Sequence, residues 1–593
     1  MDDSPDALAP LASRELAEDS KQEILDHQMP ITTLSRKLNT TSPVFRLPEE
    51  MLREIFVHLI DSLVKGLSAR RFYGQPSRPS KDRERKEDGD NGDTENDVQD
   101  KEHCCHVRTL LPIVLTHVCY KWRTIALSFP ALWTVLDTEV YKHVDILQLY
   151  LARSQCALLD LFLSSEITYE DIGYDHLLEN LNLILQQSSR IRSMNLELSP
   201  DILFDAFHCD DTVYPFTHLE SLDICVLVNG ELSLDILPYI IRLDADPDEV
   251  QHSLRRIVLR HVLVDWPALI SLPPTITHLD FAFCESQFGN MNDILAVLNK
   301  LPDLEVFRNK ASLPVSQDVP EDSPLNVHLP HLKELRIEEP YIDDLFGHIT
   351  YSALTSLQLD VKVDADAIPA FCSDFFSKIL PPSPDEPWTL ATITFHEKHR
   401  VELNLCTKAC DCQLFVDSHR IHLSVEPIGE LAGFDVWQCI FDATPPTLFS
   451  HVKQFAISDD MRWPYGNYKI PEALLSSLLK AMPCVEHVEV VEPAIFKVLS
   501  DFSDSAMITP NLQGLILINI AIVEEVEIND SLQVSVDEVC RCLEDRSARG
   551  SNLITLEVLA HTQLKVSGEG RKRLRDVVAQ LSSKCRCKTA VAE

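Results

Sequence analysis

Apolar residues recur along most of this chain in one short signature: apolar, two variable, apolar, one variable, apolar. It appears as Leu158-Leu161-Leu163, Ile191-Met194-Leu196, Leu219-Leu222-Ile224, Leu254-Ile257-Leu259 and Ile276-Leu279-Phe281. It continues as Leu332-Leu335-Ile337, Leu354-Leu357-Leu359, Leu390-Ile393-Phe395, Val452-Phe455-Ile457, Val485-Val488-Val490, Leu512-Leu515-Leu517 and Leu553-Leu556-Val558, with a weaker copy starting at Leu304. The last two apolar positions of each copy are two apart, the period of a strand with one face buried. Amphipathic helical stretches separate several copies: Tyr174–Arg190, Met291–Leu301, Pro471–Met482 and Ser535–Glu544, the last opening on the capping pair Ser535 and Glu538. Val144–Leu151 also patterns as a helix. Strand, helix and strand in repeated succession predict right-handed crossovers and a parallel sheet, so residues 137–593 read as an α/β solenoid. Two stretches depart from the repeat. The gap between the copies at 390 and 452 predicts an insertion over about 397–450, with strands near Arg400–Leu405 and Arg420–Val425. Gly568–Cys587 patterns as one helix, with Leu574, Val577, Val578 and Leu581 on the face that would cap the last repeat.

The chain ahead of the repeats patterns differently. Pro48 suits a first helical position, Glu49 and Glu50 follow in the first turn, and Leu52, Ile55, Phe56, Leu59, Ile60 and Leu63 share helical spacing. A second helix carries Val114, Leu115, Val118, Trp122 and Ile125, and Pro130 stops it after Phe129. Gly74 to His103 is a charged run almost without apolar residues, which predicts a disordered insert about 74–103 inside one small module spanning 44–136. Residues 1–43 form an acidic N-terminal segment with a short helix or pair of turns broken at Pro30. A module this small is marginal alone, and its leftover apolar surface is suited to a partner.

Leu47-Pro48 with Glu50, Leu52, Ile55, Phe56 and Leu59, then Val118-Cys119 with Trp122, then Pro130 with Leu132-Trp133, resemble the F-box. That family usually runs these parts together; here the charged insert divides them. The resemblance implies docking onto a Skp-type adaptor, and through it onto the cullin of an SCF-type ubiquitin ligase, by Leu47, Pro48, Ile55, Phe56, Val118, Cys119, Trp122, Leu132 and Trp133. Some of these would serve the module's own core, and sequence does not sort them. The repeated signature is similar to the L-x-x-L-x-L core of leucine-rich repeats. The position where that family places Asn or Cys holds Leu227, Pro340, Lys362, Pro493 and Ile520, with only Cys284 in keeping, so the coils are expected to be irregular. The expected fold class is therefore α/β: a small all-α F-box-like module followed by an irregular leucine-rich-repeat-like solenoid. The combination looks like the F-box families of mushroom-forming fungi. It implies a substrate receptor of a ubiquitin ligase; the alternative is an interaction scaffold that joins no ligase.

Composition narrows the classes. The chain has 593 residues and a formal charge of −39, which disfavours nucleic acid and anionic membrane surfaces and permits a basic protein target. Residues flanking the repeat leucines would face outward on a concave sheet. Glu197, Asp223, Asp280, Glu334, Glu338, Asp360, Glu489 and Glu557 outnumber Arg256, Arg260 and Arg336 there, so an acidic strip is expected. Met1-Asp2-Asp3-Ser4-Pro5 lacks the pattern of a signal peptide, and Leu515–Val523 is too short to span a membrane. The 17 cysteines then read as reduced thiols of the cytoplasm or nucleus. Cys406, Cys410 and Cys412, like Cys540 and Cys542 or Cys585 and Cys587, are not at zinc-finger spacing, so no metal is expected. With no phosphate loop, nucleophile elbow or dinucleotide motif, neither an enzyme nor a cofactor is expected. The target's identity, and any need for its phosphorylation, are not written in the sequence.

Overall fold

The computed structural model describes residues 46–585 apart from 74–110, 165–172, 209–213, 215, 227–252, 289, 311–324, 341–342, 353, 379–386, 396–399, 408–419, 429–432, 446, 460–470, 492–493, 501–507, 519, 524–532, 552, 561–565 and 579, together with Thr33. The acidic segment 1–43 (Thr33 aside) and the charged insert 74–103 lie outside the described residues, as does part of the 397–450 insertion. The chain divides into two compact units, one formed by 1–240 and 247–254 and the other by 241–246 and 255–593.

In the first unit, helix α1 (Glu49–Tyr73) starts where Pro48 leaves off, with Glu49 and Glu50 in its first turn. It buries Leu52, Phe56 and Ile60, one residue per turn along a single stripe. The Trp-bearing stretch is not one helix. It forms α2 (Leu111–Val118) and α3 (Tyr120–Ser128), broken at Cys119, whose backbone is extended and whose thiol accepts the Trp122 N–H at 3.4 Å. A 3-10 turn, Pro130–Trp133, closes the module and brings Leu132 and Trp133 inside. Phe56 meets Trp122 edge-on at 5.2 Å, and Trp133 meets Tyr150 edge-on at 5.0 Å while its indole N–H donates to Ala126 O at 2.8 Å. Strands β1 (Val135–Asp137), β2 (Leu159–Ser164), β3 (Ile191–Leu198) and β4 (Ser221–Val226) then pair in parallel and in chain order. Helices α4 (Val144–Ser154), α5 (Tyr174–Leu185) and α6 (Pro200–His208) connect them.

The second unit is also mixed α/β on parallel strands. Strands β5 (Arg256–Arg260), β6 (His278–Ala282), β7 (Val306–Lys310), β8 (Glu334–Pro340) and β9 (Ser356–Asp364) pair in chain order. Helix α7 (Met291–Asn299) lies between β6 and β7 and opens on a capping box made by Asn290 and Asp293. Burial alternates along β6, β7 and β9, whereas β5 buries Ile257, Val258 and Leu259 in succession; in β9 Leu357, Leu359, Val361 and Val363 are inside while the intervening residues are not. One face of the sheet is thus covered and the other open, unlike most all-parallel sheets.

The order then changes. After α8 (Ile368–Lys378) the chain forms β10 (Leu390–Phe395), β11 (Val401–Cys406) and β12 (Arg420–Ile428). Strand β12, the last made, lies parallel to β9; β11 is antiparallel to both β12 and β10. Strand β10 carries the parallel series onward to β13 (Gln454–Asp459), β14 (His487–Val490), β15 (Gly514–Ile518), β16 (Thr555–Ala560) and β17 (Gln580–Cys585). Helices α9 (Gly433–Ala443), α10 (Glu472–Ala481) and α11 (Val536–Ala548) fall between, and Ser535 caps α11 by accepting the Glu538 N–H at 3.1 Å. The C-terminal stretch is shorter as a helix than its pattern suggests. Helix α12 (Gly568–Val577) ends where Val578 turns extended, and the chain continues as β17. Adjacent β-branched valines and an available strand partner in β16 override the helical period there.

Backbone replaces the side-chain ladder that the repeats lack. The carbonyl just before one strand accepts two successive N–H groups from the start of the next. Thr277 O takes Glu305 and Val306 at 2.8 and 3.0 Å, and Glu305 O takes Lys333 and Glu334 at 2.7 and 3.0 Å. Beyond the antiparallel strands, Lys453 O, Glu486 O and Gln513 O repeat the arrangement. Cys284 keeps the ladder position and donates its buried thiol to Leu259 O at 3.2 Å.

Candidate functional site

Two surfaces stand out, one in each unit. On the helical module, the nine residues tied to docking separate. Phe56, Leu132 and Trp133 are fully buried and belong to the core, with Phe56 and Trp133 spent on the ring contacts above. Leu47, Cys119 and Trp122 are half-buried, with Leu47 O accepting Lys121 Nζ at 2.7 Å. Pro48, Ile55 and Val118 are exposed. Three residues outside those nine join them: Met51 and Leu59 flank Ile55 at four-residue spacing on α1, and Val114 precedes Val118 by one turn on α2. Tyr120 is exposed too. Each helix therefore has one buried apolar stripe and a second, solvent-facing one, which an isolated soluble module does not need.

On the second unit, the open sheet face holds a lattice of charges. Arg308 reaches Glu334 through two bonds of 2.7 and 2.9 Å and lies 3.6 Å from Asp280. Lys310 pairs with Glu338 at 2.5 Å, and Arg336 donates to the same carboxylate through Nε at 2.7 Å. Arg400 donates to Asp360 at 3.0 Å, Glu402 at 2.8 Å and Ser424 Oγ at 2.7 Å, and Lys362 pairs with Glu426 at 3.3 Å. Burial raises the Glu338 carboxyl, but Lys310 and Arg336 outweigh it and hold the group low. At Asp360 burial prevails over Arg400 and the carboxyl is raised. His422, buried between β9 and β11, is pushed down to about 4 chiefly by burial; its Nδ1 lies 2.6 Å from Asn404 Oδ1, to which the neutral ring donates.

Cations lie among the acids of the expected strip. Asp280, Glu334, Glu338 and Asp360 all have cationic partners, three of which lie on residues left out of the earlier balance: Arg308, Lys310 and Arg400. In the first unit Asp223 is buried, with Asn195 3.4 Å away, and Glu197 accepts Ser164 Oγ at 2.9 Å. A basic target does not follow from this geometry. Arg308 and Lys310 escaped notice because their strand is the weak copy, in which Asn309 occupies the third apolar position. Among the described residues there is no grouping of three or more His, Cys, Asp or Glu side chains suited to a metal ion, and no helix is long and apolar enough to cross a membrane.

No family model matches the chain, and no curated protein matches it. Among solved structures, the chain is similar to an internalin from Listeria monocytogenes, with 11% identity over 69% of this chain and 88% of that one and a TM-score of 0.25. A likeness that weak carries no argument about fold or function, which rest here on the geometry alone.

Proposed function

We propose that this protein is the substrate receptor of an SCF-type ubiquitin ligase, with the helical module docking on a Skp-type adaptor and the leucine-rich-repeat-like sheet unit holding a target. The observation that carries the reading is the solvent-facing apolar stripe Met51, Ile55 and Leu59 on α1, with Val114 and Val118 on α2. It lies on the segments whose order of residues resembles the F-box. The mechanism is proximity: a target held beside a ubiquitin-charged enzyme reacts at a raised effective concentration, and the receptor supplies no chemistry of its own. The docking residues are then Pro48, Met51, Ile55, Leu59, Val114 and Val118, while Phe56, Leu132 and Trp133 hold the shape that presents them.

The test is adaptor capture by the double variant Ile55→Asp with Val118→Asp. Both side chains are exposed, so the module should fold, and charge at the centre of an apolar contact should cost ~2 kcal/mol or more of binding, enough to abolish capture. Capture at the wild-type level by the folded variant would sink the ligase reading and leave an interaction scaffold.

A further inference from the structure

From the layering of charge on the open face of the second unit, we infer that this face takes an acidic peptide segment of its target. The inference deepens the target-binding half of the proposed function and does not depend on adaptor docking.

Charge on this face is arranged in depth. Carboxylates lie at the floor and cations lie over them. Lys310 and Arg336 each expose 41% of their side chains, against 12% for Glu338 beneath them. Lys362 exposes 50% and Glu426 21%; Arg400 exposes 32% and Glu402 16%. Arg308 and Glu334 stand level, at 28% and 29%, and Arg400 rises little above Asp360, at 32% and 29%. The first unit repeats the motif, with Arg192 at 44% over Asp160 at 5%. Short acidic side chains anchor near the backbone, whereas Lys and Arg carry their charge on long stems to the water. Five cations set over six carboxylates thus present a mostly positive outer layer on a protein whose net charge is −39.

Distance decides which of these a ligand feels. At physiological salt the remaining charge of the molecule is screened beyond ~8 Å, so the nearest layer sets the local potential. Arg308 and Arg336 are register partners on neighbouring strands, a like-charged pairing that would repel without the carboxylates beneath. The layer runs from β7 through β8, β9 and β12 to the start of β11. Four strand spacings make about 19 Å, the length of about six extended residues. Along β9 itself it ends at the exposed Asp364. An extended run of Asp or Glu lying across the strands matches both the sign and the span.

Fluorescence anisotropy of labelled octaglutamate and octalysine peptides with the full chain tests this. Octaglutamate should bind more tightly than octalysine and lose affinity as salt rises. The triple variant Lys310→Gln, Arg336→Gln and Lys362→Gln should weaken it by about tenfold. A control of equal charge change on helices, Lys497→Gln, Lys572→Gln and Arg573→Gln, should leave binding as it was. If the triple variant melts early, Lys362→Glu alone carries the test and should weaken binding by about threefold. Preference for octalysine, unchanged binding in the face variants, or an equal loss in the control each overturns the inference. Adaptor capture measured on the same preparation reports separately on the ligase reading.

Discussion

Arg546 directs a fully buried guanidinium at main-chain oxygens. It donates to Ile508 O at 2.8 Å, Thr509 O at 2.7 Å and Ser551 Oγ at 3.1 Å, bracing a turn in which Thr509 has a positive φ of 51°. Replacing it by Met removes one donor from each carbonyl, although Thr509 Oγ1 still donates to Ile508 O at 2.7 Å and Leu512 N to Thr509 O at 3.2 Å, so the cost should be about 1–3 kcal/mol in all, and Lys, a point charge, should not restore the fork. Hydrogen exchange should then quicken in β15, just after the turn, and stay unchanged in β1–β4; unaltered protection of β15 would refute the assignment. His422 makes a second prediction, in pH. Its folded pKa lies below its unfolded value, so the unfolded chain takes the proton first. The stability tied to the neutral ring is full above about pH 6.5 and is lost as pH falls toward 4, by at most about 3 kcal/mol. Asp360, whose carboxyl is raised, works in the opposite sense at the low end of that window. Unfolding followed between these pH values should show the loss in wild type and a smaller one in His422→Gln; equal slopes would exclude His422 as its origin. None of these roles is legible in sequence, because each depends on residues brought together across coils.

At the scale of elements, each of the thirteen copies of the signature is a strand, since the two-residue period of its last apolar pair reports a sheet with one buried face. Helix α1 shows where the same reasoning stops. Leu52, Phe56 and Ile60 form one stripe and Met51, Ile55 and Leu59 the next, displaced by about 100°. Both are apolar, and only packing against α3 decides which is inside. Strands near 400 and 420 were also legible; their intercalation between β9 and β10 was not, because pairing is non-local. Close approach between strands yields a further prediction. A Cβ on Gly514 would stand 2.3 Å from His487 Nδ1 and 2.9 Å from Thr555 Oγ1. Gly514→Ala should cost about 1–2 kcal/mol, with most of it recovered in a His487→Ala background. A double-mutant cycle by urea unfolding measures that coupling, and equal costs in both backgrounds would assign the strain elsewhere.

At the scale of the molecule, a net charge of −39 summed over 593 residues says nothing of which charges lie uppermost on one face. Connectivity matters as much. In the second unit, from β5 through β9, each strand docks on the one made just before it, so order can spread from coil to neighbouring coil as the chain lengthens. That rule is suspended at the antiparallel strands. Strand β10 docks on β11 and β13, and the seat beside β9 belongs to β12, which emerges later still. A nascent chain that has reached Phe395 therefore has a completed stack ending at β9 and a strand with no finished place to go. Growth of the sheet must wait for Ile428, and then resumes from a seam. Repeats could be gained or lost on either side of that seam without loss of register, but not across it.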